Sequence, residues 1–293
     1  APKSEYTIPT TRYRAEIEFP ANTEPADFTE VKPQPAHWPL SAMLVLTQLS
    51  VGLASSTFLL SADSNKTRWI TLGFAFAGLA ASGLHLGKPF RAWRALVNLR
   101  RSWLSREIAA FSLFAALVSA NVFFSATTLS AAVVVSGLIA VFTSVMIYVD
   151  TRRVLWSPKE TGIKFFGSTA LLGLAATLML TSFKAPLVVA LILVSATKLA
   201  FEAKVFLRLR DDDWSLQKKS ALLLCRNLKA VALARFLCGA IGGIFLPLLI
   251  LEMQAPTFLA VAALGLCFAG ELLERHLFFR AAVTPKMPGG VAA

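Results

Sequence analysis

Apolar residues in this chain come in long unbroken blocks rather than at the spacing of a soluble amphipathic helix or strand. The blocks are 38–60, 68–86, 105–124, 129–149, 162–181, 186–207, 229–251 and 256–279. Crossing the hydrocarbon layer takes roughly 20 mostly apolar residues, and each block is close to that length. The pattern predicts an all-α integral membrane protein, a bundle of eight transmembrane helices occupying residues 37–283. Pro39 suits the first turn of the first helix. Pro247 predicts a kink in the seventh. Gly73, Gly78 and Gly83 predict close helix contact along the second.

Three segments lie outside this pattern. Residues 1–36 form a polar, proline-dotted arm with neither the apolar core nor the cleavage site of a signal peptide. Such a segment is extended or disordered alone, or orders on a soluble partner. The chain begins at Ala1 without Met, so Met has been removed or the sequence is part of a longer product. In residues 208–226, Asp211, Asp212 and Asp213 are expected to set carboxylates at the start of a helix from Trp214. Leu216, Leu222 and Leu223 alternate there with Lys218, Lys219 and Arg226, as in an interfacial amphipathic helix. Residues 284–293 are a short proline- and glycine-rich tail.

Charge changes the picture by its placement. The net charge of +12 would suit nucleic acid if it formed a patch on a soluble domain. Instead the basic residues gather in alternate loops, after the second, fourth and sixth blocks, so the partner they indicate is membrane lipid and no nucleic acid is expected. The positive-inside rule then places both termini in the cytoplasm. Cys225, Cys238 and Cys267 are widely spaced in or beside apolar segments and read as small apolar fillers; no metal site is expected.

Ionisable groups inside a bilayer need a partner, a watery cavity or a function. Lys198 and Glu202 stand four apart and share a helix face, so they can pair. Arg235, Glu271, Glu274 and Arg275 lie in the last two spans, toward the same membrane side. Helix-to-helix ion pairs and a proton route both account for them, and a secondary transporter built on these residues is the alternative function. A bis-histidine haem needs two buried histidines facing each other, whereas His85 and His276 sit at span ends, so no haem is expected.

The chemistry concentrates in the loop after the second span. Lys88, Arg91, Arg94, Arg100, Arg101 and Arg106 lie between His85 and Glu107, with Phe90, Trp93 and Trp103 as aromatic stems. His85 reads either as an interfacial histidine that caps its helix and meets headgroups, or as a donor titrating near neutral pH that can hydrogen-bond a quinone carbonyl and pass a proton, which Glu107 can take onward.

HLGKPFRAWRALVNLRRSWLSREI, residues 85–108, resembles the signature of the membrane-anchor subunits of the dimethyl sulfoxide reductase type, the third subunit of molybdopterin oxidoreductase complexes. HWPL at 37–40, IYVDTRRVLW at 147–156 and AGELLERHLFF at 269–279 are further points of similarity, so the resemblance spans residues 37–283. It implies an anchor in a bacterial inner membrane that carries no haem and exchanges electrons with menaquinone or ubiquinone. It also implies an iron–sulfur electron-transfer subunit and a molybdopterin catalytic subunit as partners, which hold those cofactors. His85 and Glu107 match the family's quinol-binding histidine and glutamate. Arg91, Arg94, Arg101, Trp103 and Ser105 fall in the same motif and are expected to line the quinone entrance or dock the iron–sulfur subunit. The cytoplasmic orientation resembles the quinone-linked sulfite-oxidising branch. The long arm departs from the family pattern; its IPTTRY faintly resembles the C-terminal ends of the partner iron–sulfur subunits, as a gene fusion or a docking arm would.

Overall fold

In the computed structural model, which describes residues 23–25, 30–85, 98–181, 185–253, 257–283 and 288–291, every apolar block is helical. The helices are α1 (Trp38–Leu59), α2 (Asn65–His85), α3 (Trp103–Phe124), α4 (Thr127–Asp150), α5 (Pro158–Leu180), α6 (Ala185–Ala203), α7 (Leu216–Cys225), α8 (Lys229–Ala240), α9 (Leu246–Met253) and α10 (Thr257–Arg280). A 3₁₀ segment, Lys204–Arg210, extends α6, and a π-helical turn, Ile241–Phe245, joins α8 to α9. Among the described residues, 7 helices are long and apolar enough to cross a membrane, counting α6 with its extension and α8 with α9. Below that mark are α7, which is short, and α2, which carries Lys66 and Arg68 in its first turns.

Local chemistry explains the helix starts. Pro39 occupies the first turn of α1. The hydroxyls of Ser102 and Ser157 accept hydrogen bonds from the backbone N–H of Ser105 and Glu160, satisfying donors that α3 and α5 would otherwise leave open. The same device corrects one expectation: α7 starts at Leu216, not Trp214, and its cap is Ser215, which accepts from the Lys218 N–H. The aspartates at 211–213 precede the cap and lie outside the helix. A second correction concerns Pro247. The deformation of the seventh span falls on the π turn that ends two residues earlier, because a proline ring crowds the carbonyl four residues before it. A third concerns α2: Gly78 meets Thr47 of α1, while a Cβ on Gly73 or Gly83 would meet nothing within 4 Å among the described residues.

Helix α1 is the hub, packed against α2, α4, α5 and α10. Its closest approach is to α5, where a Cβ on Gly52 would come 2.0 Å from the Thr169 carbonyl and one on Gly173 would come 2.3 Å from Gly52 backbone. Two apolar cores flank this axis. One joins α1, α3, α4, α5 and the end of α10 through Phe111, Phe114, Val141, Tyr148, Phe165 and Phe278. The other joins α1, α5, α6, α9 and α10 through Leu49, Leu53, Leu171, Leu191, Ile250 and Cys267, the last filling apolar space as its spacing suggested. Large apolar side chains also face outward, Phe123 and Phe124 being 72% and 76% exposed, as lipid contact requires and a water-facing surface would not tolerate in such number.

The bundle has two distinct ends. Ser50 of α1 donates to the Thr71 carbonyl of α2 and Thr47 meets Gly78, so α2 runs back antiparallel to the level where α1 began. At that same level the Gln34 N–H donates to the Arg280 carbonyl at 3.0 Å, and Arg280 Nε returns a bond to the Gln34 carbonyl at 3.1 Å. Two short strands extend this clasp: β1 (Thr23–Pro25) pairs antiparallel with β2 (Pro288–Val291), so the chain's described extremities lie side by side. The first and last helices therefore start and finish at one end, which requires an even number of crossings and makes α2 a crossing too. At the opposite end Asp63 binds Arg68 at 2.9 Å and accepts from Ser130 at 2.7 Å, and Ser130 is shared with Asn121.

Candidate functional site

His85 is the last residue of α2, at the end where the termini meet. Residues 86–97, with Arg91 and Arg94, lie outside the described residues, as does the His85 side chain. The described chain resumes at Asn98, and Arg101 is exposed in the turn before α3. Arg106 ties this turn down by donating from Nε to the Leu99 carbonyl at 2.9 Å and from an Nη to the Arg100 carbonyl at 2.7 Å. Its guanidinium also lies 4.2 Å over the Trp103 ring, which meets Phe142 edge-on at 6.2 Å. This stack sits where an amphipathic belt is expected, with aromatic faces toward lipid and charge toward water. Ser105 and Glu107 point inward, at 2% and 6% exposure. The Glu107 carboxylate accepts a hydrogen bond from the Ser144 hydroxyl of α4. A carboxyl group withdrawn from water, one turn inside a basic loop, can hold or release a proton without becoming solvated. Tyr148, four residues beyond Ser144, links this corner to the aromatic cluster of Trp156, Phe165, Phe278 and Phe279.

The charged residues of the later spans form one network. Lys198 Nζ lies 2.5 Å from Glu202 and 3.0 Å from Glu271. Arg235 reaches across from α8 to both carboxylates, each at 2.9 Å. Ser168 of α5 donates to Glu271 and also bonds Arg275 at 2.9 Å, and Arg275 pairs with Glu274 and reaches Gln48 of α1 at 3.0 Å. Lys164 closes the set at 3.4 Å from Glu274. Glycines make room for it: a Cβ on Gly239 or Gly270 would stand 3.0 or 2.9 Å from one Arg235 nitrogen. Glu271 lies nine residues before Arg280, hence about 14 Å inside the end of α10 at the α-helical rise per residue. Lys198, Glu202, Arg235, Glu271 and Arg275 are thus brought together, whereas Glu107 stands apart on α3. Each charge has a partner of opposite sign within its own helix or on a neighbouring one, and the network joins α1, α5, α6, α8 and α10.

The family-level comparison settles what kind of bundle this is: residues 35–280 match the family described as DMSO reductase anchor subunit (DmsC). The chain belongs to the DMSO reductase anchor subunit family. Two similar proteins agree with that membership. A sulfite dehydrogenase subunit of Allochromatium vinosum is 51% identical over 51 residues, 17% of this chain and 16% of that protein. The anaerobic dimethyl sulfoxide reductase chain YnfH of Escherichia coli (strain K12) is 36% identical over 92 residues, 27% of this chain and 31% of that protein. The matches therefore span less than a third of either relative's length. Within this anchor subunit, sequence reasoning located Glu107 and the five charged residues but missed Ser144, Gln48, Lys164 and Ser168. Gln48 carried a usable signal, an amide in the middle of an otherwise apolar span.

Proposed function

We propose that this anchor subunit exchanges electrons between the membrane quinone pool and a soluble iron–sulfur subunit, at the membrane end that holds His85 and Glu107. The observation that carries the reading is Glu107, buried beneath a basic, tryptophan-bearing turn and held by Ser144 in a chain of the anchor family. Quinone reduction consumes protons and quinol oxidation releases them, so the ring needs a titratable hydrogen-bonding pair; His85 and Glu107 are assigned that role. Trp103 and Ser105 would flank the ring's entrance, and Arg91, Arg94 and Arg101 would face the docked subunit. The positive-inside rule puts this end in the cytoplasm, with the iron–sulfur and molybdopterin subunits on that side. The likeness to a sulfite dehydrogenase subunit supports a sulfur oxyanion as the substrate of the catalytic partner. The membrane is a bacterial inner membrane, the quinone menaquinone or ubiquinone, and no haem is assigned to the chain. The paired state of the intramembrane charges favours a structural role for them over a transporter's ion path.

Purified complexes carrying His85→Ala or Glu107→Gln are expected to lose quinone-coupled turnover by about a hundredfold or more, the lower range for general acid–base catalysis. Turnover with an artificial dye at the catalytic partner is expected to persist. Quinone-coupled rates equal to those of the unaltered complex would remove the assignment.

A further inference from the structure

A cavity of about 440 Å³ lies on the far side of the aromatic cluster from Glu107, among α5, the end of α6, α7, α8 and α10. Its volume is that of a small-molecule site. Phe201, Phe206, Phe236 and Phe278 form its walls, and Lys164 and Glu274 lie among its polar lining. Leu207 in its lining is 59% exposed and stands beside the half-exposed Arg208, so the exposed part of the lining lies where the apolar surface of the bundle gives way to its charged end.

Two features of the polar lining narrow the occupant. Glu274 is 2% exposed, yet its Oε1 accepts no hydrogen bond. The Lys164 ammonium compensates its charge at 3.4 Å, but with no hydrogen bond made the oxygen keeps its full acceptor capacity for a hydroxyl or N–H that enters the cavity. Lys164 stands 3.4 Å from that oxygen and 5.5 Å over the Phe278 ring, and it is a donor to any carbonyl in the cavity. The cavity therefore offers a donor and an acceptor side by side against aromatic walls. The phosphodiester group itself has no hydrogen to give Glu274, so a lipid would reach that oxygen only through a headgroup hydroxyl or ammonium. A flat ring whose oxygen is a carbonyl when oxidised and a hydroxyl when reduced satisfies both partners.

We propose that this cavity is a second quinone/quinol headgroup site, separate from the one assigned to His85 and Glu107. The assignment of the ligand class rests on the quinone reading above; the location rests on the cavity itself. Lys164 donates to the ring oxygen of the quinone, Glu274 accepts from the hydroxyl of the quinol, and the isoprenoid tail leaves past Leu207. No electron transfer is assigned to this site; it holds substrate at the protein–lipid boundary.

The test uses the full complex in detergent and a photoreactive azidoquinone, with labelled peptides mapped by mass spectrometry. Label is expected in the 201–208 or 232–236 peptides as well as near Glu107. Lys164→Met should reduce the cavity label at least tenfold. Val205→Trp, which blocks the cavity from its lining without touching the ion-pair network, should do the same and leave the Glu107 label intact. Label near Glu107 alone, or cavity label indifferent to both substitutions, would overturn the second site. Cavity label displaced by phosphatidylglycerol but not by unmodified quinone would overturn it too, by making the occupant a phospholipid. Label in the cavity alone would keep this site and remove the Glu107 assignment, and label nowhere would remove both.

Discussion

Arg235 shows how little freedom a charged side chain has inside this bundle. It is 1% exposed and binds Glu202 through two nitrogens and Glu271 through one. Removing one partner from a buried ion pair typically costs about 3–5 kcal/mol because the remaining charge is left uncompensated. Arg235→Ala leaves Glu202 and Glu271 to share Lys198 alone, so a loss within that range is expected, read as a lowered thermal midpoint in detergent. Arg235→Lys should recover only part of it, since an ammonium cannot span both carboxylates as the planar fork does. What was legible at this scale follows charge. Lys198 and Glu202 announced their pairing by four-residue spacing, and Arg235 and Glu271 stood out as costly residues in apolar spans. Ser144 and Ser168 did not, because hydroxyls on apolar helices commonly bond their own preceding turn. Thr47 and Thr57 do so here, donating to the Met43 and Leu53 carbonyls at 2.8 and 2.7 Å, and Ser168 lies 2.7 Å from the Lys164 carbonyl of its own turn as well as reaching Glu271, so no sequence feature marks the hydroxyls that cross to another helix.

Among the helices, α7 rests most on one side chain. Its ten residues are too few to hold a helix by propensity alone, and Ser215 supplies the cap. Ser215→Ala is expected to cost about 1 kcal/mol locally, and faster amide hydrogen exchange over 216–220 would report it. Replacing Asp211, Asp212 and Asp213 with asparagine should leave that exchange unchanged, since all three precede the cap. The amphipathic pattern revealed the helix but not its first residue: an aspartate run and a serine are both good starts, and tertiary placement of the preceding 3₁₀ segment chose between them. The seventh span teaches the same lesson from the other direction. Pro247 identified a defect correctly, yet the defect took the form of a π turn upstream, where Gly242 and Gly243 let the widened backbone pack against Ala263, Cys267 and Ser195.

For the molecule as a whole, the block pattern located the long helices, α2 among them, while 7 of them among the described residues are long and apolar enough to cross a membrane and α2, with its polar start, is not. Side-specific labelling checks the topology directly. In a version with Cys225, Cys238 and Cys267 replaced, single cysteines at Ala36 and Asp212 should react with an impermeant reagent from one face of sealed vesicles, and one at Asn65 from the other; all three positions are exposed. Reaction of Asn65 on the same face as Ala36 would break the antiparallel α1–α2 arrangement. The central position of α1 has a consequence for biosynthesis. The ribosome makes this helix first, but Gln48 meets Arg275 only after 227 further residues have emerged, and α10 covers α1 last. Until then the helix that organises the bundle waits in the bilayer with its polar side chains unmet, as a nascent chain rather than a fold. Insertion can proceed hairpin by hairpin, whereas completion is a single late event, and a messenger truncated before the final helix would yield a product fit only for the cell's membrane proteases.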